Sequence, residues 1–224
     1  MKKLKAIDLY SGIGGWSLGL KLHGIDVIHS YEWWNQAVDT ANKNLGKKDH
    51  IHNIRELNFS ELRDQNIDIV VGSPPCTQFS YSNRGGSGDI DDGIIDLYQF
   101  FKCIQVVKPK FWAMENVPRV AGVLRAESQK GGQLSKFKKI IDDGFIEVIN
   151  MREYGIPQKR RRFILVAIRK DLRGKDFFCY PDPYPEIFTL KDALKKGRLY
   201  SKDCPKSQGS LYPPKKKEVL DQVP

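Results

Sequence analysis

The chain has 224 residues, 40% of them hydrophobic, enough for one sizeable domain with a core of its own. No apolar run approaches the ~20 residues of a membrane span, and the patch after Lys2 and Lys3 is too short for a signal-peptide core, so a cytoplasmic protein is expected. A formal charge of +10 favours a polyanionic partner, most commonly nucleic acid, while four cysteines without a C-x-x-C pair argue against zinc and for reduced thiols.

In chain order, "LKAIDLY" reads as a strand that runs into the glycine turn "SGIGG". "WSLGLKLHG" begins a helix that Gly24 can stop, and "IDVIHSYE" is a second strand. "NQAVDTANKNLG" predicts a helix with Ala37, Val38 and Ala41 on one face and Gly46 past its end. "IDIVVGSPP" is a strand ended by prolines. Residues 80–96, "SYSNRGGSGDIDDGIID", are polar and glycine-rich and predict a mobile surface loop. "DLYQFFKCIQVVKP" is a long amphipathic helix, "KFWAMENVP" a strand, "LSKFKKIIDDGF" a helix and "RRFILVAIRK" a strand. Strands alternating with helices predict an α/β fold, a doubly wound, mostly parallel, Rossmann-like sheet covered on both faces. The pattern fades after about Pro181. Two regions are therefore expected: a catalytic and cofactor-binding domain over 1–185, and a basic tail over 186–224 that leads toward a target-recognition region.

Ligands in such sheets bind at the carboxyl ends of strands, and the unusual residues gather there. Gly12, Gly14 and Gly15 allow a sharp turn with close backbone approach. The dinucleotide fingerprint would place glycine where Ser17 stands, so a pyrophosphate cradle is disfavoured. Glu32, about 20 residues on, can accept bonds from ribose hydroxyls, and Trp33 offers a flat face to a purine. A nucleoside without a pyrophosphate, such as S-adenosylmethionine, fits these residues. Behind two prolines that fix the local dihedrals stands Cys76, a thiol mounted as a nucleophile would be. Glu115 follows a buried strand, where a carboxylate needs a partner or a task. Gln158, Arg160 and Arg162 alternate into a strand, which directs all three to one face and suits a carbonyl oxygen, a carboxylate or phosphates.

Four of these segments together resemble the DNA (cytosine-5) methyltransferase family. "DLYSGIGG" is similar to its adenosylmethionine turn, "GSPPCTQFS" to its Pro-Cys nucleophile motif, "ENV" to its Glu-Asn-Val motif and "QKRRR" to its Gln-x-Arg-x-Arg motif. They stand in the family's order over about residues 4 to 170. The resemblance implies an S-adenosylmethionine-dependent methyltransferase in which Cys76 adds to C6 of a flipped-out cytosine. It implies Glu115 on N3 of the base, Arg162 on O2, Arg160 and Gln158 orienting the site or binding DNA backbone, and Asn116 bracing the catalytic turn. For the cofactor it implies Tyr10, Gly12 and Gly14 near methionine and adenosine, Glu32 on the ribose, Trp33 on the adenine, and Ile54, Pro74 and Leu97 in the pocket. Asn53 stands where the family has aspartate, and an amide oxygen can still accept the adenine amino bond. "PCT" replaces the family's "PCQ", with Gln78 one place later. Ser80 and Arg84 are expected to meet double-stranded DNA, with Arg160.

About forty residues follow the core, and no segment among them resembles the family's variable recognition domain or its closing helix. The expectation is a truncated chain or a complementing protein chain that supplies both. Rivals are a tRNA cytosine-5 methyltransferase with the same core, a non-catalytic DNA- or cofactor-binding half, and a nicotinamide dehydrogenase, which Ser17 disfavours. No metal and no membrane partner are expected.

Overall fold

A computed structural model describes residues 3–47, 51–79, 89–173 and 178–194. Six strands form one sheet: β1 Lys5–Leu9, β2 Asp26–Tyr31, β3 Ile69–Gly72, β4 Phe111–Asn116, β5 Phe145–Asn150 and β6 Arg161–Ile168, in the order β2-β1-β3-β4-β6-β5. The β1–β2, β1–β3 and β3–β4 pairs are parallel, and β4–β6 and β5–β6 antiparallel. The chain crosses from β2 past β1 to β3, so the order reverses beside β1, where an open α/β sheet leaves a crevice at its strand ends. Register aligns those ends: Leu9 faces Tyr31 on one side and Gly72 on the other, and Gly72 faces Met114.

Among the described residues there are six α-helices: α1 Gly15–Leu22, α2 Asn35–Leu45, α3 Ile90–Val107, α4 Val120–Glu127, α5 Lys138–Asp142 and, after the last strand, α6 Leu190–Leu194. The two faces of the sheet are unequally covered. On one, Ile7, Leu9, Val70 and Met114 pack under α3, α4, the 3-10 turn at Ser135–Phe137 and α5 through Leu97, Phe100, Phe101, Leu124, Phe137 and Ile141. On the other, a smaller cluster of Ala6, Ile69 and Val71 lies beneath Trp16 and Leu20 of α1. Helix α2 ends as its sequence predicts, with Gly46 left-handed at φ 65° and Ala37, Val38, Ala41 and Leu45 buried. No described helix is long and apolar enough to cross a membrane.

Three elements differ from the sequence expectation. The predicted loop over 80–96 is helical from Ile90 onward. Asp89 caps that helix by accepting from the Asp92 amide, Asp91 and Asp92 favour its first turn, and Gly93 is demanded by packing, since a Cβ there would stand 2.6 Å from Cζ of Phe79. Acidic caps and a packing glycine thus imitate loop composition. The expected helix over Leu134–Phe145 is shorter, a 3-10 turn at Ser135–Phe137 followed by α5, and Phe145 already opens β5. That strand escaped notice because its burial does not alternate, and Ile146 is 49% exposed. Glu115 lies within β4 rather than past it.

Candidate active site

Side chains from four strand ends meet at the carboxyl edge. After β1 the chain turns through three left-handed residues, Tyr10 (φ 56°), Gly12 (φ 54°) and Gly14 (φ 90°). The Tyr10 hydroxyl donates to the backbone carbonyl and carboxylate of Asp96 at 3.2 and 3.1 Å. A Cβ on Gly12 would meet nothing within 4 Å, whereas one on Gly14 would stand 2.7 Å from Cδ1 of Leu45. Gly12 therefore leaves backbone open to an approaching molecule, and Gly14 lets the turn pack on α2.

Beneath the turn lies Asp8, fully buried. Its Oδ2 accepts from the Ser17 amide at 3.1 Å and the Ser17 hydroxyl at 2.7 Å, while Oδ1 has no partner among the described residues. Burial pushes its pKa from 3.8 up to about 7, against the opposing pull of the Ser17 bonds and Lys47. Ser17 thus replaces the fingerprint glycine with a side chain that binds the strand below.

At the end of β2, Glu32 accepts from the Gly12 amide through Oε2 and from the Trp33 and Trp34 amides through Oε1, all at 2.9 Å. The acid expected at a ribose therefore also ties the glycine turn to the start of α2. The Trp33 side chain is 69% exposed. Asn53 caps a 3-10 turn by accepting from the Arg55 amide, with Ile54 buried behind it. The His52 amide bonds the Glu32 carbonyl at 2.8 Å, which brings this segment to the same edge. Leu97 is fully buried on α3.

Past β3 the chain enters the Pro74–Pro75–Cys76 turn. Trp16 Nε1 donates to the Ser73 hydroxyl at 3.0 Å, Asn116 Nδ2 donates to the Pro74 carbonyl at 3.0 Å, and the Phe79 amide returns to the Cys76 carbonyl. Asn116 is fully buried, and its Oδ1 accepts from the Val117 amide at 2.9 Å. Cys76 is half-buried, unlike the enclosed Cys103 and the exposed Cys179.

On the other face of β4, Glu115 Oε1 meets Arg162 Nε at 2.6 Å, both side chains largely covered. Glu115 is registered with Ile164, so Arg162 is its diagonal neighbour on the same face. Gln158 and Arg160 are exposed and precede β6, which begins at Arg161, although the Met151 amide still bonds the Arg160 carbonyl at 2.9 Å. The alternation read from sequence presumed an extended path through Gln158, but the chain bends at Pro157–Gln158. Gln158 instead lines a hollow with Arg152, Phe188 and Thr189 of the tail. Ser80 and Arg84 lie outside the described residues.

The parallel strand ends, the glycine turn and the mounted cysteine belong to a Rossmann-like α/β sheet with a crevice at its carboxyl edge. The sequence matches the profile of C-5 cytosine-specific DNA methylases over residues 4–219, and the chain belongs to that family. It is 34% identical to the type II methyltransferase M.Eco47II of Escherichia coli, over 97% of this chain and 52% of that protein. It is 31% identical to the type II methyltransferase M.Sau96I of Staphylococcus aureus, over 100% and 51%. The solved structure of an Escherichia coli prophage protein assigned as a DNA modification methyltransferase superposes with a TM-score of 0.67 at 28% identity, over 87% of this chain and 55% of that one. The chain spans about half the length of the curated relatives it matches.

The residues present fit the methyl donor such a fold implies. The open backbone at Gly12, the Glu32 carboxylate beside it and the exposed face of Trp33 offer a close approach, an acceptor for hydroxyls and a stacking surface.

Proposed function

We propose that these 224 residues are the catalytic portion of a DNA (cytosine-5) methyltransferase working in the cytoplasm. The observation that carries the reading is the pairing of a half-buried cysteine on a braced turn with a Glu–Arg pair at the end of the neighbouring strand. Cytosine C5 is a poor nucleophile, and addition of the Cys76 thiolate to C6 makes it carbanion-like. Glu115 gives a proton to N3 as charge develops. Entry of the base exchanges the Glu115–Arg162 pair for two contacts with the ring, Glu115 at N3 and Arg162 at O2. S-adenosylmethionine, held by Tyr10, Gly12, Gly14, Glu32, Trp33, Asn53, Ile54, Pro74 and Leu97, supplies the electrophilic methyl group. Methyl transfer leaves S-adenosylhomocysteine, and loss of H5 to water, return of the N3 proton to Glu115 and expulsion of the Cys76 thiolate then restore the aromatic ring. The cytosine must leave the duplex to reach Cys76, which costs a few kcal/mol. Ser80, Arg84 and Arg160 are assigned to the DNA backbone, Gln158 to orienting the site, and Asn116 to holding the turn.

The recognised bases are read, and the closing helix supplied, by a region outside these residues, carried either by the rest of a longer chain or by a complementing one. The support is the share of the relatives' length that these residues span. Residues 1–185 form the catalytic unit, and the tail from 186 lies at the junction.

Duplex DNA with 5-fluorocytosine at the target tests the reading, since fluorine cannot leave as H5 does. A covalent adduct should form on Cys76 when S-adenosylmethionine and the complementing region are present, and Cys76→Ser should form none. Efficient methyl transfer by Cys76→Ser would remove the nucleophile assignment. Labelling of tRNA in preference to duplex DNA would favour the RNA reading. Efficient methylation of one defined sequence by the 224-residue chain alone would remove the complementing region.

A further inference from the structure

Trp16 and Asn116 hold the entry to the Cys76 turn. Its exit is held by a separate set of contacts that begins at Arg55. The Arg55 guanidinium spans two carboxylates of α3: Nη1 donates to Asp92 Oδ1 at 2.7 Å, Nε to Asp96 Oδ1 at 2.9 Å and Nη2 to Asp96 Oδ2 at 2.7 Å. Asp92 and Asp96 are four residues apart on one helix face, where like charges repel, and the forked cation between them turns that repulsion into a fixed geometry. With Oδ1 of Asp92 engaged by Arg55, Oδ2 faces Gln78 Nε2 at 3.4 Å, and Gln78 Oε1 accepts from the Asp89 amide at 2.9 Å. Both ends of the Gln78 amide are therefore set against the first turn of α3. Beside it the fully buried Phe79 ring seats on Gly93. Gln78 is two residues from Cys76, and the Phe79 amide closes the turn on the Cys76 carbonyl at 3.0 Å.

We propose that Arg55 is a positioning residue for the reaction: through Asp92 and Gln78 it fixes the exit of the turn that carries Cys76. The inference rests on Cys76 being the nucleophile. Arg55 makes no contact with the base in this scheme and acts only through the helix. Lysine cannot take its place, because a single ammonium cannot serve both carboxylates in the geometry of a planar fork. The position of Gln78 acquires a purpose as well. One residue beyond the place the family motif gives it, its amide addresses α3.

The test measures alkylation of Cys76 by iodoacetamide in the full chain, resolved by peptide mass spectrometry, and requires neither DNA nor cofactor. Cys103, fully buried on α3, and the exposed Cys179 serve as internal references. Arg55→Lys and Gln78→Ala should each accelerate Cys76 alkylation roughly five-fold, the equivalent of one net hydrogen bond. The double variant should react no faster than the faster single variant, because both remove the same linkage. Cys103 should stay protected and Cys179 should keep its rate. If Arg55→Lys does not fold, Asp92→Ala and Gln78→Ala carry the same comparison. Unchanged Cys76 rates in the single variants, additive effects in the double variant, or Cys103 opening in step with Cys76 would each overturn the proposal. The last would show that helix α3 is merely unfolding. Failure of fluorocytosine trapping would overturn the nucleophile reading and leave these rates untouched, so the two failures are distinguishable.

Discussion

The turn after β1 and the turn after β3 leave the same edge of the sheet and are made in opposite ways. The first gets its shape from local backbone, with three residues at positive φ, and its fastening from two carboxylates, Glu32 on the Gly12 amide and the buried Asp8 on Ser17 just beyond. The second has no positive φ among its described residues, and its entry is fastened by neutral side chains from distant elements, Trp16 from α1 and Asn116 from β4. A fastening by a titratable group responds to pH, and one by a neutral amide does not. A turn shaped by glycine is sensitive to an added Cβ, and one shaped by tertiary contacts is sensitive to truncation far away in sequence.

The largest effect should come from Asp8. Its folded pKa of about 7 lies above the ordinary 3.8, so the folded chain binds the extra proton between those values. The corresponding stability is fully present below about pH 4 and is lost as pH rises through about 7, up to roughly 4 kcal/mol at 1.4 kcal/mol per pH unit. Asp8→Asn keeps an acceptor for Ser17 and cannot ionise. The difference between wild type and Asp8→Asn in urea midpoint, followed from pH 4.5 to 8, should trace this loss. A difference that stays flat would mean that Asp8 remains ionised in the folded chain and that the two turns do not differ in this way.

Asn116→Ala probes the second turn. It strips partners from the Pro74 carbonyl and the Val117 amide in a fully buried place, which should cost about 3 kcal/mol. This loss should be the same at pH 5 and pH 8. A pH-dependent loss would show that the entry to the turn leans on an ionisable group.

The same contrast explains what was legible in the sequence. Strand and helix periodicity exposed β1 to β4, α2 and β6, and glycines and prolines marked both turns, because those signals are local. The start of α3 was hidden because Asp89, Asp91, Asp92 and Gly93 look like loop residues until Arg55 and Phe79 are seen to need them. Trp16, Ser73 and Arg55 carried no local mark at all: the Trp16–Ser73 bond spans 57 residues and the Arg55–Asp96 bond 41. Glu32 was legible as an acid near a ligand, but its grip on three backbone amides belongs to the tertiary fold. Alternation gave no sign of the bend at Pro157–Gln158 or of where β6 begins.

The smallest predicted effect separates two glycines of one turn. Both Gly12 and Gly14 sit at positive φ, where an L-residue pays about 1–2 kcal/mol. At Gly14 an added methyl also drives into the side chain of Leu45, which is itself buried, so Gly14→Ala should lose about 2 kcal/mol or more. At Gly12 the methyl meets no protein atom, so Gly12→Ala should lose only about 1 kcal/mol. If the open side of Gly12 is where the methyl donor lies, that variant should lose more affinity for S-adenosylhomocysteine, by calorimetric titration, than its stability loss accounts for. Gly14→Ala should show the reverse balance. Equal losses of affinity and stability at Gly12 would mean that its openness serves the turn alone, and would move the cofactor contact to other parts of the edge.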